Sequence, residues 1–233
     1  MKTFAERNFP GRLIAVEGLD GSGLAIARVT YEFVRPVPLG HLHVDVEVVR
    51  PGRRVQLMEG AIRTPGGTEV VRARALRVMP ADASVPRTAG LPPPPGPEGG
   101  VENDYVSDHG PTFARDALEI RFVDGAFYRM GPATAWFRLR KPIVAGEVSS
   151  PLQRLAAAGD FGNGIAAALH WDRYVFINPD LTLYIDRVPV GDWIGLESKM
   201  IVATEGIGNA ESVLYDRAGR VGRAIQSLLV APR

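Results

Sequence analysis

Residues 150–188 read SPLQRLAAAGDFGNGIAAALHWDRYVFINPDLTLYIDRV, and this stretch decides the fold class. Ser150 followed by Pro151 has the signature of a helix start: a hydroxyl that accepts from the first free amides, then a residue whose fixed φ suits the first helical position. From there Leu152, Leu155, Ala156, Gly159, Asn163, Ala166 and His170 share one face at about 100° per residue, with Asn163 the one polar member. Gly159 on that face and Gly162 at its edge remove side chains where a sheet would press. The helix is therefore expected to lie unusually close to its neighbour. After it comes a strand on which residues 178, 180 and 182 share a side.

The end of this stretch occurs twice. Val29–Val37, VTYEFVRPV, sets against Leu181–Val188, LTLYIDRV, so that Thr30 falls on Thr182, Phe33 on Ile185 and Arg35 on Arg187. A Val-Pro-x-Gly follows in both, at Val37–Gly40 and Val188–Gly191. The same offset places Glu59 on Glu211, Arg74 on Gln226 and Val78 on Val230. Two copies of one supersecondary unit are thus fused in one chain. Each reads as antiparallel β. In the first, Val44, Val46 and Val48 alternate with Asp45 and Glu47, and Pro65-Gly66-Gly67 turns the chain before Val70–Val78. In the second, Asp216-Arg217-Ala218-Gly219 turns it between Ser212–Tyr215 and Val221–Val230. Ahead of the second copy lie two further alternating strands, around Leu118, Ile120 and Phe122 and around Ala135, Phe137 and Leu139, followed by the helix.

Between the copies, Pro80–Pro97 holds seven prolines in 18 residues, where neither helix nor paired strand is expected to persist. The reading is an N-terminal repeat over 1–80, a Pro/Gly-rich linker over 81–110 and a C-terminal repeat over 111–233. Residues 1–27 are atypical, lacking the amphipathic helix that the second copy has, so the first unit is expected to be incomplete.

Composition narrows the chemistry. A formal charge of +1 from 27 basic and 26 acidic side chains provides no field to gather a polyanion, so nucleic acid is an unexpected partner. The absence of cysteine removes disulfides, thiolate ligands and cysteine nucleophiles, and four scattered histidines offer little to a metal. No run approaches the roughly 18 apolar residues of a membrane span, and Glu6, Arg7 and Arg12 precede any apolar run, so a cytoplasmic protein with no membrane partner is expected. Leu13–Glu17 followed by Gly18–Gly23 resembles the strand and phosphate loop of thymidylate kinase. Leu24 and Ala25, however, stand where lysine and a hydroxyl residue would meet triphosphate and Mg²⁺. No nucleotide binding is expected there.

A single buried helix embraced by a curved antiparallel sheet is the hotdog arrangement, so the fold class is α+β, a double hotdog. Arg154–Trp193 and the closing Val221–Val230 resemble the thioesterase-like superfamily of the acyl-CoA thioesterase II type. The resemblance covers Phe113–Arg233 and, less closely, Arg28–Pro80; it does not extend to the first 27 residues. It implies hydrolysis of acyl-CoA or related acyl thioesters, with no cofactor, by a water held among an aspartate, a hydroxyl residue and a glutamine. The aspartate matches Asp160 and the glutamine Gln226. A gapless match puts Asn178 at the hydroxyl position, slightly ahead of Thr182 four residues on. A helix N-terminal amide would stabilise the oxyanion. A homo-oligomer is compatible with this reading.

Apart from the family, Asp160 lies about 80° from Leu152 at the edge of the apolar stripe, where partial desolvation would raise its pKa toward general-base range; an exposed helix acid is the plainer alternative. Gln226 sits between Ala224 and Leu228 on one strand face, holding either a water or a neighbouring loop. Arg74 at the matching place in the first copy argues for one working site. His170, closing the helix, is the base that a hydratase-type hotdog would use, although a histidine there more often serves the helix dipole. Trp136, Trp171 and Trp193 read as core or pocket wall. The rivals to hydrolysis are a non-catalytic acyl-thioester binding module and a hydratase.

Overall fold

The computed structural model describes residues 23–81, 86, 88, 91–103 and 112–233. The expectations concerning the phosphate-loop-like residues 13–22 and the missing first helix lie outside the described residues. Four strands come from the first half: β1 (Ala25–Phe33), β2 (His43–Arg50), β3 (Val55–Arg63) and β4 (Glu69–Val78). The second half contributes β5 (Val101–Glu102), β6 (Leu118–Asp124), β7 (Ala133–Leu139), β8 (Tyr174–Ile177), β9 (Asp180–Ile185), β10 (Ile194–Val202), β11 (Ile207–Asp216) and β12 (Gly219–Pro232). All join one antiparallel sheet in the order β2-β3-β4-β1-β9-β12-β11-β10-β7-β6-β5, with β8 also on β12.

The halves meet where β1 pairs antiparallel with β9, Thr30 opposite Thr182, Val29 opposite Leu183 and Tyr31 opposite Leu181. Since Thr30 faces its own repeat-mate, while Val29 and Tyr31 each face the repeat-mate of the other, a pseudo-twofold axis passes between Thr30 and Thr182. Their hydroxyls hydrogen-bond at 3.1 Å. The pairings Val46 with Gly60 and Ser198 with Ser212 obey the same offset, and the two hairpins even share a bulge, between Ile62 and Arg63 and between Leu214 and Tyr215.

One part of the repeat is corrected by the register. Glu59 faces Arg74 in the first half, whereas Glu211 faces Ile225 in the second, because the turn before β12 is one residue shorter than the turn before β4. Arg74 therefore corresponds to Ile225, Ala75 to Gln226 and Val78 to Leu229. A one-residue slip reverses the face of every side chain in a strand, and the sequence match alone had no means to see it.

The helix begins as expected and ends early. In α2 (Pro151–Gly159), which follows the short α1 (Phe113–Asp116), Ser150 accepts from the Gln153 amide while Gln153 reaches back to the Ser150 amide, a complete capping box. Leu152 and Leu155 are fully buried, each worth about 1.5–3 kcal/mol relative to exposure. The single helix reaching His170 is not found. The Phe161 amide bonds back to the Ala158 carbonyl, a tightened last turn, and a separate turn, α3, occupies Gly162–Ile165. Gly159, Gly162 and Gly164 lower helix propensity across the break. The expected close approach is present: a Cβ on Gly159 would lie 2.8 Å from Leu183 Cδ2.

The proline-rich segment is partly folded onto the second half. Trp136 Nε1 donates to the Pro95 carbonyl at 2.7 Å, and β5 pairs with β6. Trp136 and Trp193 pack with Tyr215 as a small core of their own, while Trp171 is partly exposed and lies against Phe176. Among the described residues no helix is long and apolar enough to cross a membrane.

Replacing Ser150 by alanine removes the acceptor for the Gln153 amide, and should lower stability by about 1 kcal/mol in urea unfolding with the slope unchanged.

Candidate active site

Asp160 terminates α2, with φ −77° and ψ −7°, at the break the glycines create. Its carboxyl Oδ1 accepts from Asn178 Nδ2 at 3.0 Å and from Gln226 Nε2 at 3.2 Å. Gln226 is 1% exposed on β12, facing the helix layer. Its Nε2 also donates to the Asp160 carbonyl at 3.2 Å, and its Oε1 accepts the Asn163 amide at 3.0 Å. The buried amide is thereby used at both ends, as a buried amide requires. Asn163, the polar misfit of the helical stripe, takes part through its backbone.

Three of the four site residues read from the sequence are brought together, and one is not. Thr182 follows Leu181 on β9, and because strand side chains alternate it faces the opposite side from the buried Leu181 and Leu183. Its hydroxyl bonds Thr30 across the seam. Residues 178 and 182 do not share a strand face as expected, because β8 ends at Ile177 and β9 starts at Asp180. Asn178 lies in the corner between them, where alternation does not apply. His170 is also outside the site, exposed in the turn where its carbonyl accepts from Arg173 and Tyr174. The N-terminus of α2 lies about 13 Å from Asp160, nine residues of helix at 1.5 Å each, whereas α3 begins two residues after it.

The environment sets the carboxyl's acidity. Burial pushes Asp160 up to about 6, against the opposing pull of its hydrogen bonds from Asn178 and Gln226. No guanidinium or ammonium stands among these causes, so desolvation wins. From the first half, the fully buried Tyr31 phenol is itself pushed up, first by burial and then by the Asp160 charge. Phe161, directly after Asp160, stacks with Phe113 at 6.4 Å and packs tilted on Phe137 at 5.1 Å between ring centroids.

Two supports underlie this arrangement: the close approach at Gly162, which the sequence already indicated, and a serine pair that it did not. A Cβ on Gly162 would lie 2.6 Å from Ser212 Oγ and 2.9 Å from Gln226 Oε1, so the chain after Asp160 rests on the sheet at a contact only glycine permits. Ser212 and its partner Ser198, 2.7 Å apart and both 3% exposed, lie beneath it. The apolar counterparts in the first half, Ile26 for Asn178 and Ala75 for Gln226, carry none of these groups. Among the described residues no three His, Cys, Asp or Glu side chains are grouped to hold a metal ion.

Comparison with known proteins agrees with this architecture. A protein of Novosphingobium aromaticivorans provisionally named a thioesterase is 21% identical, with a TM-score of 0.71 over 98% of this chain and 87% of that one. An acyl-CoA thioesterase II of Mycobacterium marinum is 17% identical, with a TM-score of 0.69 over 96% of this chain and 87% of that one. A hot dog fold protein of Alicyclobacillus acidocaldarius is 15% identical, with a TM-score of 0.68 over 89% of this chain and 78% of that one. No curated protein matches the chain. The family profile for the acyl-CoA thioesterase N-terminal domain matches residues 5–78, and so reaches back through most of the segment that the sequence resemblance left out. With the profile for the acyl-CoA thioesterase C-terminal domain matching residues 86–230, the chain belongs to the acyl-CoA thioesterase family and is a thioester hydrolase with the double hotdog fold.

Proposed function

We propose that the chain hydrolyses acyl-CoA or a closely related acyl thioester at a single site, with Asp160 as general base and Asn178 and Gln226 orienting it and the attacking water. The observation that carries this reading is the placement of both side-chain hydrogen bonds on one oxygen of Asp160. Asn178 and Gln226 both address Oδ1, so among the described residues Oδ2 is left to accept a proton from water. The water oxygen adds to the thioester carbonyl carbon as its proton passes to Asp160. Collapse of the tetrahedral intermediate breaks the C–S bond, and the proton returns from Asp160 to the departing thiolate. A carboxyl with a pKa of about 6 suits both directions of that transfer near neutral pH. Asn178 replaces the family's hydroxyl with an amide that donates to Asp160 in the same place. Ile26 and Ala75 at the equivalent positions of the first half support one working site per chain.

Incubation with a panel of acyl-CoAs, following free thiol, tests the activity; binding without thiol release would instead identify an acyl-thioester binding module. On a substrate the parent turns over, Asp160→Asn should lower kcat by roughly 10² or more, because the amide keeps the hydrogen bonds but not the proton acceptor. Gln226→Ala should cost less, and the reverse order would move the chemistry elsewhere. The rate should rise with pH through about 6 as Asp160 loses its proton. Stability has the opposite sign. A carboxyl whose folded pKa is raised stabilises the protonated fold, and that contribution is lost as pH rises through the folded value. Asp160→Asn should therefore be more stable than the parent above about pH 6 and comparable well below it, as read by urea unfolding on both sides. Gly162→Ala should displace Gln226 or Ser212 and lower kcat about tenfold with KM little changed.

A further inference from the structure

We propose that Asp180 is the positioning residue of this site, holding Asn178 and Gln226 at the spacing that lets both meet Asp160. The inference rests on the reading of those three residues given above. It begins from a gap in the sheet. β12 pairs with β9 as far as Ile225 opposite Thr182, and pairs again with β8 from Leu229 opposite Ile177. Gln226, Ser227 and Leu228 fall between these ladders, beside the corner Asn178-Pro179-Asp180 that joins β8 to β9.

Side-chain and backbone groups of that corner close the gap. Asp180 Oδ1 accepts the Ser227 amide at 2.7 Å, a charge-assisted bond of the stronger kind that stands where a strand carbonyl would otherwise be. The Asp180 carbonyl accepts from Asn178 Nδ2 at 3.4 Å, so the same Nδ2 group that reaches Asp160 is also tethered to Asp180. From the first half, the Phe33 amide donates to the Pro179 carbonyl at 2.8 Å, and Glu32 pairs with Asp180 in the β1–β9 ladder. Asp180 thus grips β12 one residue from Gln226 and the amide of Asn178 two residues upstream. The two groups on Asp160 Oδ1 arrive on different segments, and Asp180 is bonded to both segments. A displacement of about 1 Å at such a site costs on the order of 10²-fold in rate. Asp180 itself touches neither Asp160 nor, in this reading, substrate.

The test compares Asp180→Ala with Asp180→Asn, whose amide oxygen still accepts from Ser227. Asp180→Ala should lower kcat by about tenfold or more with KM within about twofold, and the acidic limb of its rate profile should move up, because freeing Ser227 loosens the neighbouring Gln226 hydrogen bond that holds Asp160 down, while the Asp180 carbonyl still tethers Asn178. Asp180→Asn should recover most of the parent rate. Two measurements without substrate keep the inference separate from the activity: the carbon-13 titration of the Asp160 carboxyl, expected to move up in Asp180→Ala, and hydrogen exchange at the Ser227 amide, expected to quicken. If the parent hydrolyses no acyl thioester, the catalytic reading fails while these two still decide the role of Asp180. A parent-like rate, titration and exchange in Asp180→Ala would overturn the inference. So would an Asp180→Asn as impaired as Asp180→Ala, which would make charge rather than the hydrogen bond responsible. Should Asp180→Ala not fold, Asp180→Ser, whose hydroxyl stops short of Ser227, takes its place with the same expected and overturning results.

Discussion

The β1–β9 ladder is the constraint from which the rest of the molecule follows. Five residue pairs, from Arg28 with Tyr184 to Glu32 with Asp180, turn two half-sheets into one. Without them β1 and β9 would each present an unpaired edge, a template for unwanted association. The ladder also fixes the chain direction of β9 and hence where its first residue stands. Because β9 begins at Asp180, the corner carrying Asn178 is held against the first half through Phe33 and against β12 through Ser227. The first half thus reaches this corner through backbone pairing, and the Asp160 carboxyl through the buried Tyr31.

Buried carboxylates elsewhere in the protein show why Asp160 behaves as it does. Burial pushes Asp216 upward, but the Arg187 guanidinium and the Val190 and Ala218 amides outweigh it and hold the carboxyl below the usual range. Burial likewise opposes ionisation of Glu119, and Arg138 and Arg121 prevail there. Each of these acids is neutralised in place and ties loops or strands together. Asp160 has amide partners only, so burial prevails and its carboxyl is raised to about 6. The difference is the charge of the partner: a guanidinium stabilises the ionised form at close range, whereas a neutral amide offsets only part of the desolvation cost.

The geometry around Asp160 depends on missing side chains as much as on those present. Gly159 over Leu183 and Gly162 over Ser212 and Gln226 let the interrupted helix rest directly on the sheet, and the interruption itself turns Asp160 toward β12. Glycine weakens a helix by about 1 kcal/mol relative to alanine. Here that weakness ends α2 at Asp160. The first half keeps the sheet but has Ile26 and Ala75 where the second has Asn178 and Gln226.

The repeat, the strand alternation, the Ser150-Pro151 helix start and the equivalence of Thr30 and Thr182 were all legible in the sequence, because each is a local pattern or a match between two local patterns. Asp160, Asn178 and Gln226 were legible through the family resemblance, and the apolar run around Asp160 already pointed to desolvation. Only the tertiary structure decided the rest. It moved Arg74 off the Gln226 position, because a single-residue difference in a hairpin turn reverses strand faces without disturbing the sequence match. It turned Thr182 to the outer face and left Asn178 in the site, because alternation breaks at the corner between β8 and β9. It stopped the helix at Asp160, because a periodic apolar stripe continues through a break that glycines and packing create together. Asp180 gave no periodic signal, since its role depends on a gap between two ladders formed by residues nearly fifty positions apart, and no sequence pattern records that distance.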